Sequence, residues 1–228
     1  VIDWRWAYFL MGIIAIIGLI INLFIIANDS PYEKPKTFFP NLTYTHYLIF
    51  LVGMFWGFAH QGLFYFLPMY FSEVVKWDFE TILKGGVLTS LVLVIGVVGQ
   101  LAGGKFGEKF PRENLLVWVV GLNIPFLILM GVLSDWILVG IVIILGAVNF
   151  SYQPINNSLI SDITPINTRG MVYGISNGLG FGVGSLAGIT GGFIGEYISL
   201  NLFFPLLGIM LFPAIVLCMY IRKKVTIL

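Results

Sequence analysis

The run from Arg169 to Tyr197, RGMVYGISNGLGFGVGSLAGITGGFIGEY, restricts the possible folds more than any other stretch of this chain. It is long enough to cross a bilayer. It also carries glycine at every fourth position in two registers: Gly170, Gly174, Gly178 and Gly182, then Gly180, Gly184, Gly188 and Gly192. In a water-soluble helix each interior glycine costs about 1 kcal/mol relative to alanine, and a helix so loaded would barely hold together. In lipid the backbone has no water to bond instead, so the helix persists. Its smooth faces then let neighbouring helices come close. Gly174, Gly178, Gly182, Gly184 and Gly188 are read as helix-packing positions at contacts that are close and able to move.

Composition points the same way. Of the 228 residues, 58% are hydrophobic and 10% charged, against about 25% charged in a soluble domain. Seven apolar runs reach spanning length, roughly 5–27, 46–71, 85–106, 114–133, 136–160, 169–197 and 201–222. This is an all-α membrane protein. The net charge of +1 gives no basic surface for nucleic acid, and the single cysteine, Cys218, excludes an internal disulfide or a multi-cysteine metal site. Nothing calls for a cofactor or a metal. The chain opens at Val1 on a span with no basic n-region before it, so no signal peptide is read and a fragment is expected.

Three domains are expected: a helix in 1–27, a linker at 28–45 rich in proline and mixed charge, and a six-helix bundle in 46–228. With the C-terminus placed in the cytoplasm, nine of the 12 lysines and arginines fall inside; only Arg5, Lys76 and Lys84 fall outside. The linker is then cytoplasmic. Spans starting at 46, 85 and 114 recur at 136, 169 and 201, offsets of 90, 84 and 87 residues. GQLAG at 99–103 matches GSLAG at 184–188, the middle span of each triplet. Triplets have an odd number of spans and so insert with opposite topology, giving a 3+3 inverted repeat of the kind secondary transporters use.

Charged side chains avoid the centre of every span, so polar groups there are informative. The second span carries Trp56, His60, Gln61 and Tyr65, with His60 one turn from Trp56 and Gln61 one turn from Tyr65. The fifth carries Asn149, Tyr152, Gln153 and Asn156 at i, i+3, i+4 and i+7, one polar helical face. These residues, with Asn177 from the glycine helix, are the candidate substrate site. Pro154 is expected to kink the fifth span. Gln100 is read as support for the loop that follows it, Asn123 as structural and His46 as interfacial. His60 is the one mid-depth side chain that titrates near neutral pH, which makes protons a candidate coupling ion.

The connection GGKFGEKFPRE (103–113) resembles the cytoplasmic loop signature of the major facilitator superfamily, with Gly104, Glu108, Lys109 and Arg112 in its glycine, acidic and basic places. Pro111 and Glu113 depart from it, standing where a glycine and a second base are usual. DWRWAYFL (3–10) looks like the start of that family's sixth helix, and PINTRGMVYGISNGLG (165–180) is similar to its entry into helix eleven. The resemblance implies helices six to twelve of a transporter, with an N-terminal half to partner them and a loop latch in which Arg169 joins Glu108, Lys109 and Arg112. It implies no enzyme but a multi-pass carrier in the cell membrane, taking a small organic metabolite or amphipathic drug. The rivals are a seven-helix receptor-like protein and an intramembrane hydrolase using Ser185 and His60.

Overall fold

The structure is a computed structural model that describes residues 5–26, 41–77 and 81–225. The described residues are helical with short connections and contain no strand, and seven stretches are long and apolar enough to cross a membrane. The chain divides into two compact units, 1–38 and 39–228. In the first, α1 (Arg5–Ile26) is a single apolar helix whose Asn22 amide donates back to the Gly18 carbonyl at 3.1 Å. The second unit contains α2 (Tyr44–Val74), α3 (Thr81–Lys109), α4 (Arg112–Met130), α5 (Asp135–Ile163), α6 (Arg169–Tyr197), α7 (Leu200–Met210) and α8 (Phe212–Val225). Most of the linker expected at 28–45 lies outside the described residues, and its last two positions already belong to α2.

One expected span is two helices. The apolar stretch Leu200–Lys224 steps at Leu211, whose N–H turns back to the carbonyls of Gly208 and Ile209. Pro213, lacking an N–H and crowding the preceding turn, supplies the reason. By contrast α5 runs on through Pro154, and α2 and α4 through Pro68 and Pro125.

Helix pairing follows the glycines. The core runs through Leu63, Leu67 and Phe71 of α2, Leu116 and Met130 of α4, Leu138 and Leu145 of α5, and Phe203 and Phe204 of α7. Around it α2 packs along α6 and α3 along α5, the two most extensive pairings in the unit. In lipid no hydrophobic drive pulls helices together, so contact depends on how closely backbones can approach. A methyl built on Gly57 would collide with the Gly180 carbonyl, and one on Gly184 would lie 2.7 Å from the Gly57 carbonyl oxygen. On the other pair, a methyl on Gly99 would strike the Ala147 carbonyl, and one on Gly103 would lie 2.7 Å from that of Ser151. The glycine helix thus has two unlike faces. Gly180, Gly184 and Gly188 meet α2, whereas Gly170, Gly174, Gly178 and Gly182 have open space within 4 Å.

That contrast predicts opposite responses to added bulk. Gly57→Ala should lower the stability of the solubilised protein by about 1–3 kcal/mol through overpacking against backbone. Gly178→Ala should be neutral or stabilising by up to about 1 kcal/mol. Thermal unfolding in detergent reads both, and equal losses at the two positions would mean that the two faces are not distinct.

Candidate functional site

Between α2, α3, α5 and α6 lies a cavity of about 240 Å³. Its smallest residues, Gly53, Gly57 and Gly180, leave the room, and the side chains of four helices line it. From α2 come Trp56 and His60, one turn apart. From α5 come Asn149, Tyr152, Gln153 and Asn156, the whole predicted polar face, and from α6 comes Asn177. Gln61 and Tyr65 are not in this lining. They lie on the seam with α6, where Gln61 packs over Gly184 and Tyr65 over Gly188. Gln100, expected to support the loop, lines the cavity instead, as do Phe150, Ser176 and Phe181.

The indole of Trp56 stacks on the Tyr152 ring, centroids 4.2 Å apart and planes 14° from parallel. The Gln153 amide donates to the Asn177 carbonyl oxygen at 3.3 Å, joining α5 to α6 across the cavity. His60 Nδ1 lies 2.6 Å from Asn149 Oδ1, and the Asn149 amide donates to Asn123 Oδ1 at 3.0 Å. Asn123, fully buried as its structural reading expects, ends a polar chain that reaches the cavity. Two further polar atoms, Tyr152 Oη and Asn156 Oδ1, are buried without a hydrogen-bond partner among the described residues. An unmade buried hydrogen bond costs about 1–3 kcal/mol, so these atoms favour any arrangement that supplies a partner.

A second polar cluster gathers at the end of the unit that holds the α3–α4 connection. Arg112 forms an ion pair with Asp162 of α5, and its Nε donates to the Gly107 carbonyl at 3.1 Å. Arg169 Nε donates to the Thr164 carbonyl at 3.0 Å, bridging α5 and α6. His46, in the first turn of α2, is buried, and its Nε2 reaches Thr164 Oγ1 at 2.9 Å. Glu108 and Lys109 are exposed, and neither forms an ion pair among the described residues. Gly104 faces open space. The acid that Arg112 uses, Asp162, was not foreseen; fifty residues separate the two.

The sequence model of the Major Facilitator Superfamily matches residues 1–189 and, in a second match, 86–226. The chain belongs to the Major Facilitator Superfamily. A Haemophilus influenzae protein described as a metabolite transport protein is 25% identical over 249 aligned positions, 91% of this chain and 54% of its own length. The multidrug resistance protein MdtG of Proteus mirabilis is 24% identical, over 86% of this chain and 50% of its own. The chain therefore spans about half the length of the curated relatives it matches. Among solved structures, the POT family transporter PepTSo matches with a TM-score of 0.72 at 13% identity, covering 81% of this chain and 38% of that one. A mutant of the peptide transporter POT in complex with alafosfalin matches at 0.71 and 17% identity, over 84% and 41%. At those identities the likeness is one of fold.

Membership of this superfamily sets aside the receptor-like alternative. The hydrolase alternative loses its dyad: Ser185 is exposed, donates to the Gly182 carbonyl of its own helix, and is not in the lining that holds His60. The buried hydroxyl of Tyr152 gives a direct check on the cavity wall. Tyr152→Phe removes a donor that has no partner, so stability should hold or rise by up to about 1 kcal/mol. A fall in Tm on substitution would mean the hydroxyl is bonded after all.

Proposed function

We propose that this chain carries a small organic solute, a metabolite or an amphipathic drug, across the cell membrane by alternating access, as a secondary transporter or a facilitator. The observation that carries this reading is the cavity. Seven of the nine candidate substrate residues, drawn from three helices, converge on one lined space with stacked aromatic rings and unsatisfied polar atoms. No Asp, Glu, Lys or Arg lines it, which fits a neutral or weakly polar solute. Its volume of about 240 Å³ is below the roughly 300–1,000 Å³ of drug-sized pockets. A second half of the transporter, facing this one, would complete the wall. Gln61 and Tyr65 then serve the α2–α6 seam rather than the solute.

The domain reading stands with it: one helix in 1–27 of the N-terminal half, a cytoplasmic linker at 28–45, and the six-span bundle in 46–228 with its C-terminus in the cytoplasm. The 3+3 inverted repeat is supported by the packing. Exchanging α2 with α5, α3 with α6, and α4 with the α7–α8 pair carries each of the two most extensive pairings onto the other. Gly99 against the Ala147 carbonyl mirrors Gly184 against the Gly57 carbonyl, at offsets of 85 and 90 residues. The open face at Gly174, Gly178 and Gly182 is where the N-terminal half would slide. Protons are the candidate coupling ion, with His60 as the imidazole in the lining. The Arg112–Asp162 pair, with Arg169 tying α5 to α6, supports a latch at the cytoplasmic end, which Glu108 and Lys109 would complete in another conformation.

Uptake into proteoliposomes tests the cavity. In the intact protein, His60→Ala and Gln153→Ala should each raise KM for a carried solute about tenfold while leaving insertion intact, the loss of one good hydrogen bond. Properly folded variants with unaltered KM would refute the assignment. At the loop, Glu108→Gln should slow transport without changing KM, and undiminished turnover would remove Glu108 from the latch.

A further inference from the structure

We infer that a buried chain of amides, ending on a backbone carbonyl remote from the cavity, fixes the tautomer of His60 so that its Nε2 faces the solute as a hydrogen-bond acceptor. The direction of the chain is set at its far end. Asn123 Nδ2 donates to the Val119 carbonyl at 2.8 Å, and a carbonyl can only accept. Asn123 Oδ1 must then point the other way, where it receives the Asn149 amide at 3.0 Å. That leaves Asn149 Oδ1 as the atom 2.6 Å from His60 Nδ1, so Nδ1 is the protonated nitrogen and the donor. Reversing the amides would set two oxygens against each other at Val119.

Burial keeps the chain in this direction, since Asn123 is 0% exposed and lies outside the cavity lining, where water cannot substitute. The imidazole packs in a three-ring cluster with Phe64 and Phe150, at centroid distances of 5.0 and 5.6 Å. Nε2 has no partner among the described residues, and the residue lines the cavity. In the neutral imidazole Nε2 is thus an acceptor, and its complement is a solute presenting an N–H or O–H group. Asn149 and Asn123 are positioning residues: Asn123 does not line the cavity yet decides what His60 shows to it. This solute class rests on the transport reading above; the tautomer does not.

The chain's other histidine is an internal control. The Thr43 backbone N–H donates to His46 Nδ1 at 3.0 Å, so the proton sits on Nε2, which donates to Thr164 Oγ1. The two histidines should be opposite tautomers.

Nitrogen-15 NMR of the intact protein in lipid nanodiscs, labelled at histidine and assigned by difference against His46→Asn and His60→Asn, reads this directly. At a pH where both rings are neutral, His60 should show a protonated Nδ1 and an unprotonated Nε2, and His46 the reverse. Asn123→Leu should move the His60 tautomer ratio about fivefold or more toward Nε2–H, with His46 unchanged. A wild-type His60 carrying its proton on Nε2 overturns the proposal without any variant having to fold, and an unmoved ratio in a folded Asn123→Leu protein overturns the role of Asn123. In uptake assays, methylating the donor group of a carried solute should raise KM about tenfold in the wild type and leave it unchanged in His60→Leu. Equal effects in both overturn the solute class. Should no solute be carried, the transport reading falls while the tautomer still stands or falls on the NMR.

Discussion

Close approach of backbones is the constraint on which the rest of this structure depends. A helix in lipid gains nothing from turning an apolar face to another helix rather than to acyl chains, so association rests on fit. Here the fit is made at Gly57, Gly180 and Gly184 on one pair of helices and at Gly99 and Gly103 on the other, where carbonyls occupy the space a side chain would need. Drawing α2 onto α6 and α3 onto α5 brings the polar faces of α2 and α5 toward one another. The same small residues, Gly53, Gly57 and Gly180, then leave the cavity those faces line. Packing and site are two results of one glycine pattern.

What could be read from the sequence follows from which interactions are local. The spans were legible because each is a continuous apolar run, and the polar face of α5 because Asn149, Tyr152, Gln153 and Asn156 recur at helical spacing. The choice between His60 and Gln61 was not legible. Adjacent residues on a helix point roughly 100° apart, and only the position of α6 decides that His60 sees the cavity while Gln61 covers Gly184. The partner of Asn123 was not legible for a related reason: Asn149 lies 26 residues away on another helix. Arg112 and Asp162, or His46 and Thr164, are farther apart still. The step at Leu211 was written in Phe212–Pro213, yet hydropathy alone runs through it.

The two polar clusters differ in a way that bears on movement. At the end of the unit that holds the α3–α4 connection, the groups are mutually satisfied: Arg112 holds Asp162 and the Gly107 carbonyl, Arg169 holds the Thr164 carbonyl, and His46 holds the Thr164 hydroxyl. Such a network favours the conformation in which it is complete. In the cavity, satisfaction is partial. Among the described residues, the chain from Val119 through Asn123 and Asn149 to His60 is closed at its buried end and open at Nε2, and Tyr152 Oη and Asn156 Oδ1 have no partners. In a medium of low dielectric each unmade bond weighs more than it would in water. A conformation that supplies those partners is therefore favoured at the cavity wall. On the transport reading proposed above, the wall would gain most from a solute that offers a donor to His60 and to Asn156 together with an acceptor for Tyr152. A purely apolar molecule of the same size would leave those atoms unsatisfied.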